Sequence, residues 1–145
     1  MRAMAVLAGL LVALGAMAEE TPEAAAMRVL DEFMTAFNAR DPEAVAATLN
    51  YPHVRFASET VSVYESAEEF AAGMDFEAFA KRFNWDHSAW GEREVVQMDD
   101  EKVHVVLDFT RYDPEGNATA THPSLYIITK VDGRWGIQAR SSFAT

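Results

Sequence analysis

The chain has 145 residues, half of them apolar, with a formal net charge of −11 and no cysteine. That length suits one domain with a sizeable core, and the charge repels phosphate backbones and anionic lipid, which argues against nucleic-acid binding. The missing thiols exclude disulfides, thiolate zinc sites and a cysteine nucleophile.

The first segment, MRAMAVLAGLLVALGAMAEE, reads as a leader rather than as part of the fold. Arg2 supplies a short basic region, an apolar run reaches Leu14, and Ala16-Met17-Ala18 has the small-x-small pattern of a cleavage site. The run is short for a bilayer span. It predicts a signal peptide over residues 1–18, cleavage after Ala18, and a single periplasmic or secreted domain over residues 19–145 with no membrane contact after cleavage. An uncleaved membrane anchor is the alternative.

Two helix starts follow. Thr21 caps and Pro22 takes the first helical position, after which Ala26, Leu30, Phe33, Met34 and Phe37 recur at steps of three and four, one buried face. Asp41 and Pro42 repeat the signal for a second helix, with Val45 and Leu49 inward and Pro52 forcing the chain out by Tyr51. A small hairpin is predicted across Val54, Phe56, Val61 and Val63. A third helical region then opens on the Ser66–Glu69 capping box. Gly73 weakens it, and Asp75 caps a second piece running to Phe83.

From Asp86 the apolar period becomes two. Four strands are expected, over Asp86–Met98, Lys102–Tyr112, Thr119–Val131 and Arg134–Phe143, joined by turn sequences rich in Asp, Pro and Gly. Helices first and an antiparallel meander afterwards predict an α+β fold with the helices on one face of the sheet.

Strand parity divides the candidate chemistry. Pairing Met98 with Val103 and running back without interruption sets Trp90 opposite Arg111 and Glu94 opposite Leu107, both toward the helices. His87 points away, and Arg93 meets Asp108 as an outer-face ion pair. A two-residue Asp132-Gly133 turn sets Tyr126 opposite Ala139 and Ser124 opposite Ser141, facing inward. It sends Gln138 and Arg140 to the outer face as dimer contacts. Glu94, a carboxylate among apolar neighbours, must find a partner or take up a proton.

The layout resembles the nuclear transport factor 2-like superfamily, which includes ketosteroid isomerases, scytalone dehydratase, limonene epoxide hydrolase and SnoaL-like polyketide cyclases. The resemblance rests on FMTAFNARDPEAVAATL and LYIITKVDGRWGIQARSSF. It looks closest to a bacterial branch with the segments YPHVRF, HSAW and WGIQARSSF. It implies a cone-shaped, cystatin-like roll, its N-terminal helices packed on a bent antiparallel sheet, with a deep pocket open at one end and a convex face that often forms dimers. In the isomerase branch an acid in an apolar pocket moves a proton, and in the dehydratase branch histidines do. Neither catalytic set aligns residue by residue with this chain, so none is carried over.

Two functions are therefore expected. The first is an exported, non-catalytic domain binding a small apolar or weakly acidic molecule, through His53, Arg55, Trp90, Arg111, Tyr126 and Ser141, and dimerising through Val106, Leu125 and Ile127 on the convex face. The second is a cofactor-free isomerase, lyase or hydrolase with Glu94 as the proton-transfer group. Whether the chain is an enzyme stays open at this point. The histidines 53, 87, 104 and 122 have neither helical i, i+4 nor strand i, i+2 spacing, so no metal site and no cofactor is expected.

Overall fold

A computed structural model describes residues 19–144; the predicted signal peptide lies outside the described residues. The order of elements is α1 (Pro22–Asn38), α2 (Pro42–Ala47), β1 (Leu49–Phe56), β2 (Val61–Tyr64), α3 (Ala67–Ala72), α4 (Phe76–Phe83), β3 (His87–Met98), β4 (Lys102–Tyr112), β5 (Ala118–Val131) and β6 (Arg134–Ser142). Among the described residues, no helix is long and apolar enough to cross a membrane.

Local chemistry explains the helix starts. Thr21, Asp41, Ser66 and Asp75 each accept a bond from the backbone N–H three residues on, and proline holds the first position of α1 and α2. Helix α4 stops at Asn84, whose φ of 47° ends the helical path. Helix α2 ends earlier than the proline rule suggests, and Leu49 already belongs to a strand. Arg134 donates to the carbonyls of Ala47 and Leu49, so the chain's exit from α2 is tied to β6.

The helices cover one face of a six-stranded sheet of order β2-β1-β6-β5-β4-β3. The sheet is mixed: β1 runs parallel to β6, where a wholly antiparallel sheet was expected. Leu30, Leu49, Val103, Val105, Ile128 and Ile137 are fully buried between the layers, each burial worth roughly 1.5–3 kcal/mol.

Three bulges overturn the expected parity. Met98 pairs with Val103, but the register slips between Val95 and Gln97 and again between Trp90 and Arg93. Each slip inserts one residue and turns the following side chains over. Trp90 therefore opposes Phe109 rather than Arg111, and Glu94 opposes Val106 rather than Leu107. Glu94 is exposed on the outer face, against the expectation of a buried acid, and Val95 faces the core in its place. Arg93 bonds Asp31 of α1 at 2.6 Å instead of Asp108.

The third slip lies in the last hairpin. The Asp132-Gly133 turn has both residues at positive φ and pairs Ile128 with Ile137 as expected. Between Ile127 and Ile128 the register moves, so Tyr126 opposes Arg140 and Ser124 opposes Ser142. Arg140 thus faces the helices, not the convex surface, and Ser142 replaces Ser141 on the inner side.

Candidate functional site

Helix α1 supplies the base of a cavity. The stripe that reads as core has a buried side at Leu30 and Phe33 and a half-buried side at Met34 and Phe37 that stops short of the sheet. Asn38 holds the helix against β3 through two bonds to the Ser88 backbone, of 2.8 and 2.9 Å. The Trp90 indole N–H donates to the Leu30 carbonyl at 3.1 Å. These bonds fix the gap between α1 and the open end of the sheet. The gap is about 260 Å³, closed from the side by Phe70 of α3 and by Phe79 and Phe83 of α4.

Aromatic side chains make up half of the lining residues. Phe33 stacks with Phe37 and Trp90 at centroid distances of 5.8 and 6.3 Å, and Tyr126 meets Trp90 edge-on at 5.5 Å. Such pairs add about 0.5–1.5 kcal/mol each beyond area burial and hold the rings in place. The polar remainder is lopsided. Among the described residues, four arginines line the cavity (Arg55, Arg82, Arg111 and Arg140) and no Asp or Glu does.

Arg55 and Arg140 are direct neighbours across the parallel β1–β6 pair. Arg140 lies over the Phe33 ring at 5.2 Å, and its Nε is buried without a partner among the described residues. Arg111, only 7 % exposed, stacks on Phe83 at 4.6 Å and Phe79 at 5.0 Å. Burial, with the charge of Arg140 second, lowers the pKa of Arg55; burial, with the charge of Arg55 second, lowers that of Arg111. Both remain cations at neutral pH, because a guanidinium has a very high intrinsic pKa.

Four of the seven residues singled out in the sequence meet at this cavity: Arg55, Trp90, Arg111 and Tyr126. His53 lies one layer behind. It is fully buried beside Tyr64 and Phe70, which themselves line the cavity, and its Nδ1–H donates to the Ile137 carbonyl at 3.0 Å. Burial and the charge of Arg140 depress its pKa to about 4, so it is neutral. Ser141 is turned away by the β6 bulge, and Glu94 is outside altogether.

Arg140, Ser142, Tyr64 and the α4 rings were missed. Two signals for the β3 bulges were present: Gly91 inside a strand, and the adjacent pair Val95-Val96, which cannot both face inward. The bulge at Gln138 has no comparable mark in WGIQAR, so Arg140 was not legible. Among the described residues no three His, Asp or Glu side chains converge as metal ligands.

A family model described as NTF2-like protein (DUF6841) matches residues 21–143. No curated protein matches the chain in sequence. Solved structures share the fold at low identity. A protein of unknown function with a cystatin-like fold from Nostoc punctiforme aligns with TM-score 0.70 and 16% identity over 85% of this chain and 90% of that one. A putative calcium/calmodulin-dependent protein kinase II association domain from Xanthomonas campestris aligns at 0.62 and 21%, over 86% and 91%. A ketosteroid isomerase-like protein from Erwinia carotovora atroseptica aligns at 0.62 and 24%, over 88% and 97%. At these identities the likeness concerns the fold alone.

Proposed function

The chain belongs to the NTF2-like family DUF6841, and from that premise we propose that it is an exported domain that binds a small, mostly apolar molecule in its cone. One observation carries this reading: a cavity of about 260 Å³ between α1, α4 and the sheet, walled by aromatic side chains with a few polar groups aimed inward. Enclosed apolar space with convergent polar groups is the usual form of a small-ligand site. Export rests on the leader pattern of residues 1–18, and protein recovered from a periplasm should begin at Glu19.

The alternative, proton transfer by a cofactor-free isomerase, lyase or hydrolase, loses the acid assigned to it. Glu94 is on the outer face, and the cavity wall offers arginines, tyrosines and serines but, among the described residues, no carboxylate. Binding is therefore the better-supported use of the space.

Ligand-observed saturation-transfer NMR with a panel of single-ring compounds, neutral and acidic, tests the reading. Transfer is expected to at least one compound with the wild-type protein and not with Met34→Trp, which fills the cavity from α1. Absence of transfer across the whole panel removes the reading.

A further inference from the structure

The arginines elsewhere in the fold show what this chain does with its cations. Arg28 bonds both Glu20 and Glu32, Arg93 bonds Asp31, and Arg134 bonds two carbonyls and the Asn50 side chain. Acids are plentiful, with 23 Asp and Glu against 12 Lys and Arg. Yet Arg55, Arg111 and Arg140, gathered at one cavity, have neither a salt bridge nor a side-chain hydrogen bond to any described residue.

Their environment makes this costly. Each guanidinium carries five N–H donors in one plane. For Arg111 and Arg140 the faces of that plane rest on phenyl rings. Stacking occupies the faces and leaves the N–H edges, and those edges are what a planar oxyanion engages two at a time. Three cations close together and partly dehydrated, with no acid among the described residues at the cavity, are suited to an anion from outside.

We propose that the cavity takes a small organic carboxylate, with the carboxylate held between Arg55 and Arg140 under the influence of Arg111 and a flat apolar body resting against Phe33 and Trp90. This deepens the small-ligand reading above and rests on it. Carboxylate is favoured over phosphate because the walls are mostly apolar, and a dianion is costlier to dehydrate than a monoanion. The size of the space, about 260 Å³, suits a single-ring acid.

Isothermal titration of the purified protein tests this with phenylacetate, its neutral isostere phenylacetamide, phenyl phosphate and inorganic phosphate. The wild-type protein should bind phenylacetate at least tenfold tighter than phenylacetamide and more tightly than either phosphate. Arg140→Met should lose at least tenfold for phenylacetate and clearly less for phenylacetamide, and Arg140→Lys should recover only part of the phenylacetate loss, because a point charge does not reproduce the two parallel bonds of a guanidinium. A thermal melt of each variant confirms that it is folded. If the amide binds as tightly as the acid, or Arg140→Met costs nothing, the carboxylate inference falls and the small-ligand reading stands. Tighter binding of inorganic phosphate or phenyl phosphate overturns the choice of carboxylate. If no ring compound binds, neutral or acidic, the small-ligand reading itself fails and takes this inference with it.

Discussion

At the scale of single residues, His53 and Glu94 show how position decides chemistry. His53 is neutral because burial, aided by the cations Arg140 and Arg55, disfavours its charged form, and its folded-state pKa falls from 6.5 to about 4. An unfolded chain binds that proton first as pH drops below about 6.5, so stability is lost between pH 6.5 and 4 and fully present above that window. At pH 5 the deficit from this one group is about 2 kcal/mol. His53→Asn keeps a donor for the Ile137 carbonyl without titrating. Urea unfolding at pH 7.5 and 5.0 should show a wild-type loss larger than the variant's by about that amount; equal losses would mean that His53 is not the group responsible. Glu94→Gln has the opposite character. A buried acid paired with an arginine would cost about 3–5 kcal/mol to break, but an exposed one on the outer face should change stability by no more than about 0.5 kcal/mol. A melting temperature within a degree or two of wild type is the expected result.

At the scale of elements, the order of helices and strands and the starts of the helices were legible because caps, prolines and turn residues act locally, whereas the end of α2 was not, because it is set by Arg134 of β6. The expected starts at Thr21, Asp41, Ser66 and Asp75 all cap helices, and the Lys102–Tyr112 strand has the bounds read from its alternation. Register was less legible, because a bulge is settled by the partner strand as much as by the bulged one. The same is true of β1, which slips against β6 between Leu49 and Val54 and turns the Asn50 side chain toward its neighbours. That side chain donates to the Thr129 carbonyl at 2.8 Å and accepts from Arg134 at 2.8 Å, directly above Gly136. A Cβ on Gly136 would stand 2.7 Å from Asn50 Oδ1. Gly136→Ala must displace Asn50 and break the bonds that join β1, β5 and β6. A loss of about 1–3 kcal/mol is expected in chemical denaturation, and Asn50→Ala in the same background should cost much less than it does in the wild type, because the two changes remove the same contacts.

At the scale of the whole molecule, charge and apolar surface are unevenly distributed, and both features have consequences. The convex face carries Val106, 44 % exposed, next to half-buried Leu125 and Ile127, which supports self-association there; sedimentation should show a dimer that Val106→Glu converts to monomer. The second feature is the positive cavity inside a chain of net charge −11. The surplus of acids does not neutralise Arg111, which is 7 % exposed, has no acidic partner among the described residues, and is depressed in pKa by burial first and Arg55 second. Burial of an unpaired cation works against folding, since even buried ion pairs are often replaced by apolar residues at no loss or with a gain of about 1–4 kcal/mol. The rings of Phe79 and Phe83 return part of that, up to about 2 kcal/mol for a well-placed cation. Arg111→Met should therefore raise the stability of the ligand-free protein by about 1 kcal/mol, seen as a higher melting temperature, while weakening phenylacetate binding. A variant that melts lower and binds less would show that ring stacking outweighs desolvation, and that Arg111 is structural before it is a ligand contact. The opposite shifts of stability and affinity are the mark of a charge kept for what it binds.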